Sequence, residues 1–119
     1  MSTLADHRTK EALEELNSEL ERIVNILINN YNPQKIILFG SLATGDANEW
    51  SDIDLVVVKE SNKSFYERLK EVALLTMPRI TGADILVYTP EEFESKKDSL
   101  FFREEVFKKG KVLYDAKAS

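Results

Sequence analysis

Apolar and polar residues recur along the chain with spacings that predict helices separated by short strands. Over residues 5–31 the apolar residues stand three or four positions apart, which predicts one long amphipathic helix that ends before Pro33. Glu19 is expected on the polar face of this helix. The same spacing predicts a helix over 64–76 and a third over 89–109, the latter broken near 98–99.

Four short apolar runs predict the strands of a sheet, and they cover 35–39, 55–58, 83–88 and 111–114. The first run is apolar on both faces, which is typical of a strand covered on both sides. The last is short and is predicted to form an edge. We therefore predict an α/β fold of the α+β type, in which helices cover a small mixed, largely antiparallel sheet. A chain of 119 residues is long enough for one such domain, which we expect to span 1–119.

Composition limits the classes of partner. A net charge of −5 argues against tight non-specific nucleic-acid binding, because such binding depends on Lys and Arg neutralising phosphates. The absence of cysteine excludes disulfides and thiolate zinc sites. No apolar run approaches the ~20 residues that span a bilayer, and the N-terminus lacks an apolar signal core. We expect a cytoplasmic protein, not bound to membranes, whose partners are a small nucleotide or another protein. The sequence leaves a homo-oligomer open.

The candidate chemistry begins with two acidic residues, Asp52 and Asp54, which open the second strand. Being two residues apart, their side chains are expected on one side of the strand, ~6.6 Å apart. Two carboxylates at that separation repel by ~2.5 kcal/mol at an effective dielectric constant of about 20, and a divalent cation removes this cost. Carboxylate oxygens suit Mg²⁺, which proteins usually bind through one or two carboxylates together with substrate phosphates.

Gly40 and Ser41 end the first strand and supply a candidate anion site. Backbone N–H groups and a hydroxyl at such a terminus point outward, and glycine lets the backbone approach a ligand closely. For Gly40 to meet Asp52, the first two strands must run antiparallel. An anion site beside paired carboxylates indicates a nucleoside triphosphate bound with Mg²⁺.

Each feature also has a plain structural explanation. Gly-Ser often forms only a turn, and Asp-x-Asp often only begins a strand, but the combination of the two favours a functional site.

The Asp-x-Asp phosphatases are excluded, because they place the motif after the apolar strand and not before it. Asp84 is either a turn residue or, if its strand lies ~4.8 Å beside the second, a third carboxylate of the site. Trp50 either stacks on a nucleobase or covers the edge of a core.

The pattern Gly40-Ser41, ten residues, Asp52-x-Asp54 resembles the signature of the nucleotidyltransferase superfamily related to DNA polymerase beta. The chain is similar in size to the minimal nucleotidyltransferases, and the resemblance covers about residues 15–115. It implies the palm fold of that superfamily.

The resemblance also implies the site residues and the reaction. Asp52, Asp54 and Asp84 would be the catalytic and metal-binding carboxylates for two Mg²⁺ ions, and Gly40 and Ser41 would bind the phosphates of ATP. The reaction would be transfer of AMP to an acceptor hydroxyl. Similar minimal nucleotidyltransferases act as antitoxins that adenylylate an RNase, so the resemblance implies a helical HEPN-domain protein as partner.

An alternative class stays open, in which the domain is a non-catalytic module that binds nucleotide or neutralises a partner by contact. Many members of the superfamily have Arg directly after the Ala in Gly-Ser-x-Ala-Arg-Gly, and Thr44 stands at that position in this chain. The absence of a basic residue there favours the non-catalytic alternative slightly.

Overall fold

The computed structural model describes residues 3–117, with the side chains of 8–117. Two residues at each end of the predicted domain lie outside this range. The elements follow in the order α1 (Thr3–Asn30), β1 (Lys35–Phe39), α2 (Ser41–Thr44), β2 (Ile53–Val58), α3 (Phe65–Thr76), β3 (Ala83–Tyr88), α4 (Pro90–Ser95), a 3₁₀ turn (Lys96–Asp98), a π-helix (Phe102–Lys108) and β4 (Lys111–Asp115). Within the described range, no helix combines the length and apolarity needed to cross a membrane.

The four strands form one sheet in the order β3-β2-β1-β4. β1 pairs antiparallel with both β2 and β4, whereas β2 and β3 run parallel. The predicted fold class is therefore confirmed: a mixed, largely antiparallel sheet with helices. The antiparallel pairing of the first two strands and the edge position of the last strand are also confirmed, and the third strand lies beside the second, which was the condition for Asp84 to join the site.

The sheet separates two apolar cores. On one face, Ile53, Leu55 and Val57 of β2 are fully or almost fully buried against residues of α1 and α3. On the other face, Val56 packs with residues of the π-helix, among them Phe102. Since side chains alternate along a strand, Asp54 leaves β2 on the same face as Val56. The candidate site therefore lies at the end of the sheet face that carries the π-helix.

Two helix starts follow their sequence signals. The Ser64 hydroxyl accepts a hydrogen bond of 3.2 Å from the Glu67 amide at the start of α3. At the start of α4, Thr89 and Glu92 satisfy each other's backbone N–H groups, and Pro90 occupies the first turn. Such pairs satisfy amides that a helix terminus leaves without partners.

The second strand begins one residue after its predicted opening at Asp52: β2 starts at Ile53, and pairing on both sides places Asp54 inside the strand. The predicted helix over 89–109 is broken at Ser99, as expected, where the backbone is extended. Beyond the break, the Lys109 amide bonds to the Glu104 carbonyl at 3.2 Å, the five-residue step of a π-helix.

Candidate active site

The topology of the sheet brings three predicted site residues to one end. In the strand register, Asp54 pairs with Phe39 on one side and with Asp84 on the other. Gly40 follows Phe39 directly, so the end of β1 meets the beginnings of β2 and β3. The predicted neighbourhood of Asp54 and Asp84 is thus present in the structure, since register partners project from the same face.

Gly40 leaves room for the Asp54 carboxylate because it has no side chain. Its backbone has φ 76° and ψ −163°, a conformation that side chains other than hydrogen rarely permit. A Cβ on Gly40 would lie 3.2 Å from Cγ of Asp54 and would collide with Oδ2. The glycine therefore serves both the turn after β1 and the close approach of a carboxylate.

Asp52 is paired with a second glycine in a comparable way. A Cβ on Gly82 would lie 3.0 Å from Cγ of Asp52 and would collide with Oδ1. The backbone is fixed beside it, because the Ile53 amide donates to the Gly82 carbonyl at 3.0 Å. Asp52 thus lies against the chain that leads into β3, whereas Asp54 lies against the chain that leaves β1.

The electrostatics of the site are unfavourable without a cation. Burial raises the pKa of Asp54, and the neighbouring charges of Asp84 and Asp52 raise it further. An ionised Asp54 at neutral pH therefore costs free energy in the folded protein. A cation bound beside these carboxylates would remove that cost.

The three carboxylates at this end of the sheet are suited to Mg²⁺ bound together with a substrate. Among the side chains of residues 8–117, no three acidic or histidine groups converge into a ready-made metal cage. Mg²⁺ seldom uses such a cage, and takes one or two carboxylates together with substrate phosphates and water. Asp52, Asp54 and Asp84 would supply such oxygen ligands, and Asp54 fills the space beside Gly40.

Ser51 contacts the candidate site, and the sequence analysis did not predict it. The Ser41 hydroxyl donates to Oγ of Ser51 at 3.0 Å, and the same Oγ accepts from the Asn48 amide at 2.9 Å. Ser51 thereby connects the predicted phosphate-binding serine to the loop that leads into Asp52. Its position directly before the Asp-x-Asp pair was the available signal.

Comparison with known proteins decides the family. The model of the family "Polymerase beta, Nucleotidyltransferase" matches residues 21–119. The chain belongs to this family. It is 35% identical over 97 residues to a protein of Methanocaldococcus jannaschii named as a putative protein adenylyltransferase, an alignment that covers 80% of this chain and 94% of that protein. The crystal structure of a putative nucleotidyltransferase from Sulfolobus solfataricus has the same fold, with a TM-score of 0.58, 18% identity, and coverage of 100% of this chain and 94% of that one.

Two grooves adjoin the carboxylates of this nucleotidyltransferase. One runs around the free edge of β3 and is lined by Asp54, Asp84, apolar residues of α3 and Arg79. The Arg79 guanidinium is fixed there by hydrogen bonds to the Ala83 carbonyl at 2.9 Å and to the Thr76 hydroxyl. Arg79 lies in the turn between α3 and β3, and its partners are the last residue of α3 and the first residue of β3, so no periodic sequence pattern marks it.

The other groove lies between α1 and the loop before β2, where Glu15, Glu49, Trp50 and Asp52 are among its lining residues. Trp50 is 84% exposed, so it does not cover a core edge, which was one of its two predicted roles. Its amide is held by the Asn48 side chain at 2.8 Å, which orders the loop and leaves the ring open to solvent.

Proposed function

We propose that this nucleotidyltransferase transfers AMP from ATP, with Mg²⁺, to a hydroxyl group on a partner protein. The observation that supports this most strongly is the register pairing of Asp54 with Asp84 beside Gly40. This pairing places two carboxylates beside a glycine whose backbone a ligand can approach closely. Transfer from a Mg²⁺-bound triphosphate requires such a combination. The name of the relative from Methanocaldococcus jannaschii supports a protein acceptor.

Each site residue has a role in this proposal. Asp52 and Asp54 would hold one Mg²⁺ and Asp84 a second, and the bound ions would neutralise phosphate charge. Gly40 and Ser41 would bind the β- and γ-phosphates through the backbone and the hydroxyl. Asp84 would accept the proton of the acceptor hydroxyl. The acceptor oxygen forms a bond to the α-phosphorus while the bond from that phosphorus to pyrophosphate breaks, so no covalent protein intermediate is needed.

The proposed partner is a helical HEPN-domain protein, which the chain would restrain as an antitoxin in the cytoplasm by adenylylating it. The net charge of −5 supports a protein acceptor over a nucleic-acid acceptor. A purified pair of the two proteins tests this part of the proposal. Absence of both binding and label transfer from ATP would contradict the partner without affecting nucleotidyl transfer itself.

The reaction is tested by removing the charges of the proposed metal ligands. The Asp52→Asn, Asp54→Asn double variant should lose ATP-dependent labelling of the acceptor by at least about 10³-fold, since metal binding and charge neutralisation carry most of the catalysis. Labelling at the wild-type level would exclude the assignment. An Asp46→Asn variant is the control, because Asp46 is an exposed loop residue whose carboxylate accepts a hydrogen bond from Thr44.

One observation favours the non-catalytic alternative. The Thr44 hydroxyl donates to Asp46 at 2.8 Å, so the position where many relatives carry Arg offers no cation to a triphosphate. A triple Asn variant of Asp52, Asp54 and Asp84 distinguishes the two functions. Neutralisation of the partner that survives in this variant supports contact alone, and neutralisation that disappears supports catalysis.

A further inference from the structure

Glu19 is an acidic residue in the interior of the protein, although the helical pattern places it on the polar face of α1. It is only 2% exposed. Its carboxylate accepts hydrogen bonds from Nε of Arg22 at 2.6 Å and Nη2 of Arg22 at 3.0 Å, and Oε2 also accepts from the Ile80 amide at 2.9 Å. The hydrogen bond from Arg22 lowers the pKa of Glu19, against the opposing effect of burial. The sequence prediction was wrong because the turn that covers Glu19, and supplies the Ile80 amide, is distant in sequence.

Arg22 extends the same contact network to the end of α3. Its Nη2 donates to the Thr76 carbonyl at 2.9 Å and to the Pro78 carbonyl at 3.1 Å. The last turn of α3 contains no basic residue of its own. Carbonyls at a helix C-terminus lack intrahelical partners and favour a nearby cation, so Arg22 supplies from α1 the cap that α3 does not have.

The turn that this pair holds leads directly to the candidate active site. Residues 77–82 connect α3 to β3, and Gly82 at their end is the glycine against which the Asp52 carboxylate lies. Asp84 follows two residues later. A shift of the turn by a fraction of an ångström would therefore change the positions of two proposed metal ligands together.

A purely stabilising role explains the pair less well. Burying an ion pair costs desolvation, and apolar residues of similar size at such a position are often as stable or more stable. Glu19 lies on α1 between Leu16 and Ile23, both buried, where an apolar residue would extend the core. What the ion pair supplies, and an apolar residue would not, is directed bonding to the last carbonyl of α3 and to two backbone groups of the turn, the Pro78 carbonyl and the Ile80 amide.

We propose that Glu19 and Arg22 are positioning residues of the nucleotidyl-transfer site, which fix the 77–82 turn so that Asp52 and Asp84 are placed for divalent-metal binding. The inference rests on the proposed function for its catalytic consequence. Its immediate consequence is metal affinity, which can be measured without any transfer.

The test compares two ion pairs at opposite ends of β3. Glu92 binds Arg68 at 2.7 Å, and Arg68 in turn donates to the Val87 carbonyl at 2.8 Å, far along the strand from Gly82. Glu19→Gln and Glu92→Gln each remove one carboxylate from an arginine that holds backbone carbonyls. Mn²⁺ binding is measured by electron paramagnetic resonance, and Tm by calorimetry, on the full chain.

We expect both variants to lower Tm, but only Glu19→Gln to weaken Mn²⁺ binding, by about tenfold, as removal of a second layer of contacts around metal ligands typically does. In the transfer assay kcat should fall for Glu19→Gln with little change in KM for ATP. Equal Mn²⁺ affinities in the two variants would overturn the inference. Wild-type protein that binds no Mn²⁺ would also overturn it, whereas Mn²⁺ binding without transfer contradicts the proposed function alone.

Arg22→Lys keeps the test decisive if Glu19→Gln does not fold. Lysine retains the charge but cannot span Glu19, Thr76 and Pro78 at once, because its ammonium is a single point of contact. We expect Mn²⁺ binding at least about threefold weaker than in wild type, a smaller effect than the roughly tenfold or larger loss expected when such a contact is removed altogether, because lysine keeps the charge. Unchanged Mn²⁺ affinity in this variant would overturn the inference.

Discussion

Asp54 on β2 and Asp84 on β3 are direct register partners in the parallel strand pair, so their side chains leave the same sheet face one strand spacing apart. Burial first, and then the charges of Asp84 and Asp52, raise the pKa of Asp54. The arrangement is costly for folding without a cation and useful for binding one. Such a conflict between local stability and binding is typical of functional sites.

Asp54→Asn should therefore stabilise the metal-free protein at pH 7 while abolishing transfer. A carboxyl group whose pKa is raised in the folded state contributes stability when protonated, and this stability is lost as pH rises through the folded pKa. Asparagine imitates the protonated form, so we expect Tm to rise by about 3 °C, a shift that corresponds to less than about 1 kcal/mol for a chain of this size.

Asp46→Asn is the control for this measurement, since Asp46 is an exposed loop residue. We expect its Tm to stay within about 1 °C of wild type, as for most surface substitutions. Addition of Mg²⁺ and ATP should raise the Tm of wild type more than that of Asp54→Asn. A lower Tm for metal-free Asp54→Asn than for wild type would contradict the electrostatic account.

Gly40→Ala and Gly45→Ala form a matched pair for the close approach at the site. Both glycines have positive φ, 76° and 85°, so both substitutions strain the backbone, by at least about 1 kcal/mol at the left-handed Gly45 and by more at Gly40, whose combination of this φ with a ψ of −163° is rarely adopted by other residues. Only at Gly40 would the new Cβ meet the Asp54 carboxylate, because no atom of the described residues lies within 4 Å of it at Gly45. We expect Gly40→Ala to lose transfer by about 10²-fold, as displacement of a reacting group by an ångström can do.

Gly45→Ala should retain transfer within about threefold and lose only stability, by about 1 kcal/mol in urea unfolding. Comparable losses of transfer in both variants would show that backbone strain, and not the contact with Asp54, makes Gly40 necessary.

Ser51→Ala tests the contact between the Ser41 and Ser51 hydroxyls at the proposed phosphate site. Without Oγ of Ser51, the Ser41 hydroxyl loses its 3.0 Å partner and can rotate away from the phosphates. Loss of one such hydrogen bond corresponds to about 1 kcal/mol, or roughly fivefold in KM for ATP. Ser61→Ala removes a comparable hydroxyl contact in a remote turn, to the Lys63 amide. An unchanged KM in Ser51→Ala would exclude a role for this pair in ATP binding.

Glu92→Gln should lower the free energy of unfolding relative to wild type, and this loss should be larger at neutral pH than at acid pH. The hydrogen bond from Arg68, aided by the Thr89 amide, lowers the pKa of Glu92 to about 2 from 4.5. Stability from a lowered pKa is fully present above 4.5 and is lost as pH falls towards 2.

Because the Glu92 side chain is 42% exposed, solvent screening reduces the contribution to about 1–2 kcal/mol. Urea unfolding of both proteins at pH 7 and pH 3 measures it, and the difference in free energy of unfolding should shrink at the lower pH. A difference that stays constant or grows at pH 3 would show that the ion pair with Arg68 does not stabilise the fold.

Local patterns were sufficient for most of the architecture and for part of the site. Alternation and apolar runs located the strands, and the order of Gly40, Asp54 and Asp84 along them indicated that they meet. The cap residues at Ser64 and Thr89 act locally, so the sequence marked them correctly.

Local patterns did not predict contacts between segments that are far apart in the sequence. Glu19 followed the polar spacing of α1, yet it is buried because Arg22 and the Ile80 amide satisfy it. Arg79 owes its place beside the carboxylates to the turn after α3. Both depend on how the turn packs against helices, which a periodic pattern does not record.

The central claim is that Asp52, Asp54 and Asp84, with Gly40 and Ser41, transfer a nucleotidyl group to a partner protein. It is tested most directly by incubating the purified protein, Mg²⁺ and a HEPN-domain partner with ATP labelled either at the α- or at the γ-phosphate. The account predicts label on the partner from α-labelled ATP only, with release of pyrophosphate, and none with the Asp52→Asn, Asp54→Asn variant. Label from γ-labelled ATP, or α-label that survives in the variant, would contradict it.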